Sequence, residues 1–229
     1  MRSNPPVHTK ILRKSGFSLV ELLTVIAIIS ILMTVSIVGL NGMAGGKGVS
    51  TAVSTSEAVF EEARSLAIGK RTSAAVLVSV QDPRNRDTYL RRMVVAYKEI
   101  DPVTNEQKSD WVLASRGATL PDKVYYSTDL SKRNHKNGSG SLDRITLSNV
   151  KREYSGEYYI YEFNSEGICT TPGASFVVGT GTLPIGERHP KTVASAKRDF
   201  GGFVIWRNGA TSIFRDPSQI LTHGDVSKF

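Results

Sequence analysis

KSGFSLVELLTVIAIISIL, residues 14–32, sets a single carboxylate, Glu21, near the start of a long apolar run that follows a lysine and a glycine. Residues 22–40 carry no charge, and at about 1.5 Å of rise per residue such a helix spans roughly 28 Å, enough to cross the hydrocarbon core of a bilayer. The pattern predicts a transmembrane helix over 17–40. The 16 residues before it hold Arg2, Lys10, Arg13 and Lys14 and no acid, and a basic flank of this kind stays cytoplasmic under the positive-inside rule. The remaining chain then faces outward. Glu21 falls about one turn into hydrocarbon, where an ionised carboxylate costs about 2.5–3.5 kcal/mol on insertion scales. It requires a proton or a cationic neighbour, and the apolar segment itself supplies no lysine or arginine.

Beyond the run comes GLNGMAGGKG, with glycines at 39, 42, 45, 46 and 48, each costing a helix about 1 kcal/mol relative to alanine. A soft or broken helix, a hinge over 41–50, is expected there. Helical periodicity returns at 52–68, where Ala52, Val53, Ser56, Val59, Phe60, Ala63, Leu66 and Ala67 share one face and Glu57, Glu61, Arg64 and Lys70 fall elsewhere. This predicts an amphipathic helix laid on a core. The pattern then turns to β at 74–81, 89–100, 111–115, 124–127, 144–148, 157–164, 174–180, 202–207 and 210–215. Asn208-Gly209 between the last two is the strongest hairpin signal. Segments 131–141 and 180–199 read as polar loops. The outward part, 51–229, is thus expected to be one β-rich domain, α+β in class, packed on the second half of the long helix.

Charge sets further bounds. Of 29 Lys and Arg, four lie in the leader opposite no acid, so 25 basic side chains face 21 acidic ones in the rest. Half of the net charge of +8 therefore belongs to the leader, which removes half of the case for a nucleic-acid partner. The lone Cys169 excludes an intrachain disulfide and reads as a small packed hydrophobe.

Two ordinary readings of the N-terminus fit poorly. A secretory signal cut near Gly42-Met43-Ala44 has an apolar core of about 7–15 residues, shorter than this one, and no glutamate near its start. An uncleaved single-span anchor explains the length but gives no reason for Glu21. KSGFSLVELLTVIAIISIL instead resembles the class III leader of type IV pilins and type II secretion pseudopilins. That resemblance implies a prepilin peptidase that cuts after Gly16, the end of a leader over 1–16, and methylates Phe17, with Lys14 and Glu21 taking part in recognition and assembly. The new α-amino cation at Phe17 would sit four residues before Glu21, and the family pairs this glutamate with the N-terminus of a neighbouring subunit. Mutual neutralisation in a low dielectric favours such a pair.

A looser resemblance covers more of the chain. VFEEARSLAIGKRTSAAVLVSV (59–80), EFNSEGICTTPGASFVV (162–178) and GFVIWRNGATSIF (202–214) are similar to the helix, first strand and closing strands of H-class minor pseudopilins and FimT-type minor pilins. The implied fold is pilin-like, a long N-terminal helix, transmembrane then amphipathic, packed on an antiparallel sheet or sandwich. The implied protein is single-pass in the inner membrane, its N-terminus cytoplasmic and its domain periplasmic or carried to the cell surface in a filament. Its partners would be the peptidase, other pilins or pseudopilins, and lipid; its work would be assembly for protein secretion or transport, without catalysis.

No cofactor or metal site is expected. GMAGGKG lacks the upstream glycine and the Ser or Thr of a phosphate loop, and His8, His135, His189 and His223 show no ligand spacing. No GxSxG or paired-carboxylate pattern occurs. The alternative from another class is a membrane-anchored DNA-binding or uptake protein. Lys132, Arg133 and Lys136, Lys151-Arg152, and the run from Arg188 to Arg198 would supply its basic surface, with tyrosines 154, 158, 159 and 161 nearby. Solvated loops beside strand tyrosines are the preferred reading. A basic groove formed jointly by 131–141 and 180–199 would favour the alternative.

Overall fold

The computed structural model describes residues 19–191 and 199–215, the side chains of 30–47 excepted. The chain divides into two compact units, Met1–Met43 and Ala44–Phe229. Helix α1 (Leu19–Lys70) is assigned through both. Residues 41–50, where a soft or broken helix is expected, are helical in backbone, and the boundary between the two units falls among them. Glycine weakens a helix by lost backbone entropy, but it keeps its N–H and C=O, so the i→i−4 ladder continues.

In the first unit the described apolar side chains of α1, Leu19 to Ile29, are exposed on every side of the helix. Among the described residues no helix is long and apolar enough to cross a membrane, and the predicted span lies outside the side-chain description from Ser30 onward.

In the second unit α1 buries the face that its periodicity marks. Ala52, Val53, Ser56, Val59, Phe60, Ala63 and Ala67 are buried and Leu66 packs against them, while Glu61 and Lys70 are exposed. The Ser56 hydroxyl donates to the Ala52 carbonyl (2.7 Å), so its burial leaves no unmet donor. Burial begins earlier than the predicted domain start at 51, because Val49 is buried against β9 (Phe200–Ile205). A Cβ on Gly201 would come within 2.9 Å of Val49 and 3.0 Å of Val53. A side chain at that position would hold the helix off the strand.

All nine predicted strands occur. They are β1 (Ala74–Ser79), β2 (Arg92–Ile100), β3 (Gln107–Leu113), β5 (Val124–Tyr126), β6 (Arg144–Leu147), β7 (Gly156–Phe163), β8 (Ser175–Thr180), β9 and β10 (Thr211–Phe214). A two-residue β4 (Ala118–Thr119) was not anticipated. One antiparallel sheet runs β3-β2-β1-β7-β6, with β4 also on β2, and a second runs β10-β9-β8-β5. The fold is α+β. Strand β2 starts later than predicted because Tyr89 and Leu90 belong to the preceding turn, Leu90 with φ 55°.

β1 is buried on both faces, which is why its sequence is continuously apolar. Val76 and Val78 face the main core, while Ala75 and Leu77 face a smaller cluster with Val94, Ala96, Tyr158 and Ile160. Phe60 of α1 lies at the centre of the main core, edge-to-face with Tyr161, Phe163, Phe176 and Phe203 at centroid distances of 5.0, 6.3, 5.4 and 5.0 Å. The two sheets and the helix thus share one core. Two buried tyrosines also tie the sheets together. Tyr161 donates to the Ser175 carbonyl (2.8 Å), and its oxygen lies 2.9 Å from that of Tyr126, so Tyr126 is the donor between them. Burial pushes both phenols well above their ordinary value.

Candidate functional site

Glu21 stands in the first turn of α1, between exposed Val20 and Leu22. Thr24 beside it turns its hydroxyl back onto the helix, 2.8 Å from the Val20 carbonyl and 3.0 Å from that of Glu21. The helix here therefore presents a nearly unbroken apolar surface with one carboxylate near its beginning. An apolar surface on all sides marks a helix meant for lipid or for other helices. Lys14, Gly16 and Phe17, with the leader 1–16, lie outside the described residues.

Among the described residues, each of the two basic segments has a cation held by a carboxylate of its own neighbourhood. Arg133 is held by Asp143 at 3.0 and 3.1 Å within a hairpin closed by the Asn134–Ser139 bridge. Lys191 pairs with Glu187 (2.7 Å) in a second hairpin closed by Thr182 and Lys191. Lys197 and Arg198 lie outside the described residues. The tyrosines near Lys151-Arg152 are buried, Tyr158 and Tyr161 completely and Tyr154 beneath the Arg92 guanidinium. Cys169 is buried too, and burial raises its thiol pKa above the ordinary value, as expected of a packed rather than a reactive thiol. His135 stacks on Phe214 at 5.2 Å. His8 and His223 are outside the described residues. Among the described residues no group of His, Cys, Asp or Glu could hold a metal ion.

Sequence reading missed a cleft of about 210 Å3 where β1 ends and β7 begins. Its wall carries Arg144 from β6, Glu157 and Tyr159 from β7, Gln81 and Tyr89 from the turns after β1, and Arg188 with His189 from the 180–191 hairpin. These groups are scattered over more than 100 positions, so no local spacing announces them. The Arg144 guanidinium donates to the Tyr159 hydroxyl (2.6 Å) and lies 3.9 Å from Glu157. The Tyr89 hydroxyl donates to the Arg188 carbonyl (3.0 Å), fixing the hairpin over the cleft.

Residues 11–37 match the family model of the prokaryotic N-terminal methylation motif. No curated protein and no solved structure matches the chain. The motif is the substrate signal of a prepilin peptidase, and it supports a type IV pilin-like or pseudopilin precursor, a structural subunit of the kind that forms filaments with other pilins.

Proposed function

We propose that the chain is the precursor of a minor pilin-like subunit which loses residues 1–16, carries a methylated Phe17, and joins other pilins or pseudopilins in a filament that serves protein secretion or transport. The observation that carries this reading is the methylation motif at 11–37, whose Glu21 opens a helix with apolar side chains exposed on every side. Such a helix requires lipid before assembly and neighbouring helices after it, and a single carboxylate near its start gives assembly a fixed register. The subunit would sit in the inner membrane as a single-pass protein, anchored over 17–40, with 51–229 and the packed turn before it on the periplasmic side. A pilin-like fold agrees with the long N-terminal helix whose second half lies in the core of antiparallel sheets.

Processing tests the reading. Coexpressed with a prepilin peptidase, the full chain should lose residues 1–16 and start at N-methylated Phe17, and Gly16→Val should block the cut because a β-branched side chain replaces none at all. Intact mass reads both events. An unprocessed wild-type chain, or a new start at Gly45 as a signal peptidase would leave, overturns the proposal.

A further inference from the structure

The cleft beside β7 belongs to the outward domain and plays no part in processing or in the helix register. Its charged groups are unbalanced. Arg144 and Arg188 supply two cations, and among the described residues Glu157 is the one acid on the wall. Among the described residues no carboxylate lies within ion-pair distance of the Arg188 guanidinium, whereas the hairpin's other cation, Lys191, is paired with Glu187. Both arginines line the same cleft as Tyr89, whose hydroxyl holds the Arg188 backbone at the rim. Arg144 is oriented as well as charged. It spends one donor on Tyr159 and lies over that ring, 4.7 Å from the centroid, which leaves most of its five N–H groups for another acceptor. Tyr159 is itself nearly buried, so the platform under Arg144 is rigid.

From two arginines on the wall of one small cleft that also carries Tyr89 and Tyr159 we infer that this is a binding site for a small oxyanion ligand, a carboxylate or a phosphate group. A volume of about 210 Å3 is below the roughly 300–1,000 Å3 of pockets for drug-sized ligands, so the ligand is a small acid or one anionic group of a larger molecule. Planar guanidinium forks suit either oxyanion. Glu157 works against binding, since its carboxylate shares Arg144 with the incoming anion. The Arg144 and Glu157 side chains are 56 % and 58 % exposed, so water competes and the affinity belongs in the millimolar range.

The test uses the full chain in a phosphorus-free non-ionic detergent with 13C-labelled tyrosine, titrated separately with inorganic phosphate and with succinate at constant ionic strength. Saturable shifts of the Tyr89 and Tyr159 signals are expected with at least one of the two, and the pattern tells a phosphate site from a carboxylate site. Arg188→Gln should weaken binding about tenfold or more, the loss of one charge-assisted hydrogen bond. Glu157→Gln should tighten it severalfold, and as a change that strengthens binding it separates the site from a damaged fold. No saturable shift with either anion overturns the inference, and so does binding that neither substitution alters.

Discussion

Glu21 illustrates how magnitudes decide the meaning of one residue. An acid in the first turn interacts favourably with the positive end of the helix dipole, but by only about 0.3–1 kcal/mol. An ionised carboxylate at this depth in a bilayer costs about 2.5–3.5 kcal/mol, so the dipole alone does not account for it. The proposed pairing with the Phe17 amine of a neighbouring subunit, created by cleavage after Gly16, would account for it. Glu21→Ala and Glu21→Gln should therefore insert and be processed at least as well as wild type, yet fail to enter the filament. The amide keeps shape and some hydrogen bonding but not the charge that attracts an ammonium. Disulfide or bismaleimide crosslinking between single-cysteine reporters measures entry, and the buried Cys169, replaced by Ser for safety, contributes little background. Crosslinks at wild-type yield in both variants would remove the assembly role from the glutamate. A partial defect would place the subunit at the start of the filament, where nothing need be recruited ahead of it.

At the scale of elements, α1 joins the core of the second unit earlier than the glycines suggest. Val49 and Val53 close over Gly201, and each buried valine is worth about 1.5–3 kcal/mol. A soluble fragment starting at Ala44 should fold and should unfold in urea with about 3 kcal/mol or more of stability over one starting at Ser54, which lacks both valines. Equal urea midpoints would show that the core does not use the turn before residue 54. The same helix shows what a sequence reveals. Its buried face from Ala52 to Ala67 is legible because a period of 3.6 leaves few alternatives. The backbone at 41–50 is helical, which a soft helix allows, because glycine propensity is a weak prior. The Asn208-Gly209 hairpin is legible, but only Gly209 takes a positive φ, 78°, in a three-residue connection between Trp206 and Ala210. A Cβ there would meet Arg64 and the Gly167 carbonyl, both at 2.6 Å, so the glycine is fixed by tertiary contact as much as by the turn. β4 pairs through two residues and has no period to read. The cleft was not legible because five separate segments build it, and only the pairing of β1 with β7 and the closing of the 180–191 hairpin bring them together.

Across the whole molecule, charge decides between a filament subunit and a DNA receptor on the same anchor. Outside the leader 25 basic side chains face 21 acidic ones, and two of the cations in the basic segments are held locally, Arg133 by Asp143 and Lys191 by Glu187. Binding to duplex DNA needs many phosphates neutralised at once. A protein with about 6–10 phosphate contacts loses roughly 10³–10⁵ in affinity between 50 and 200 mM salt. The charge distribution among the described residues therefore predicts no saturable binding of labelled double-stranded or single-stranded DNA to the full chain near physiological salt. Fluorescence anisotropy reads it. Changing Lys132, Arg133, Arg188 and Lys197 together to Ala should leave the anisotropy as it was, since the filament reading needs no joint basic surface. A micromolar dissociation constant that weakens steeply with salt and drops further in the fourfold variant would give the two loops a common groove after all. It would move the protein from filament assembly to nucleic-acid capture.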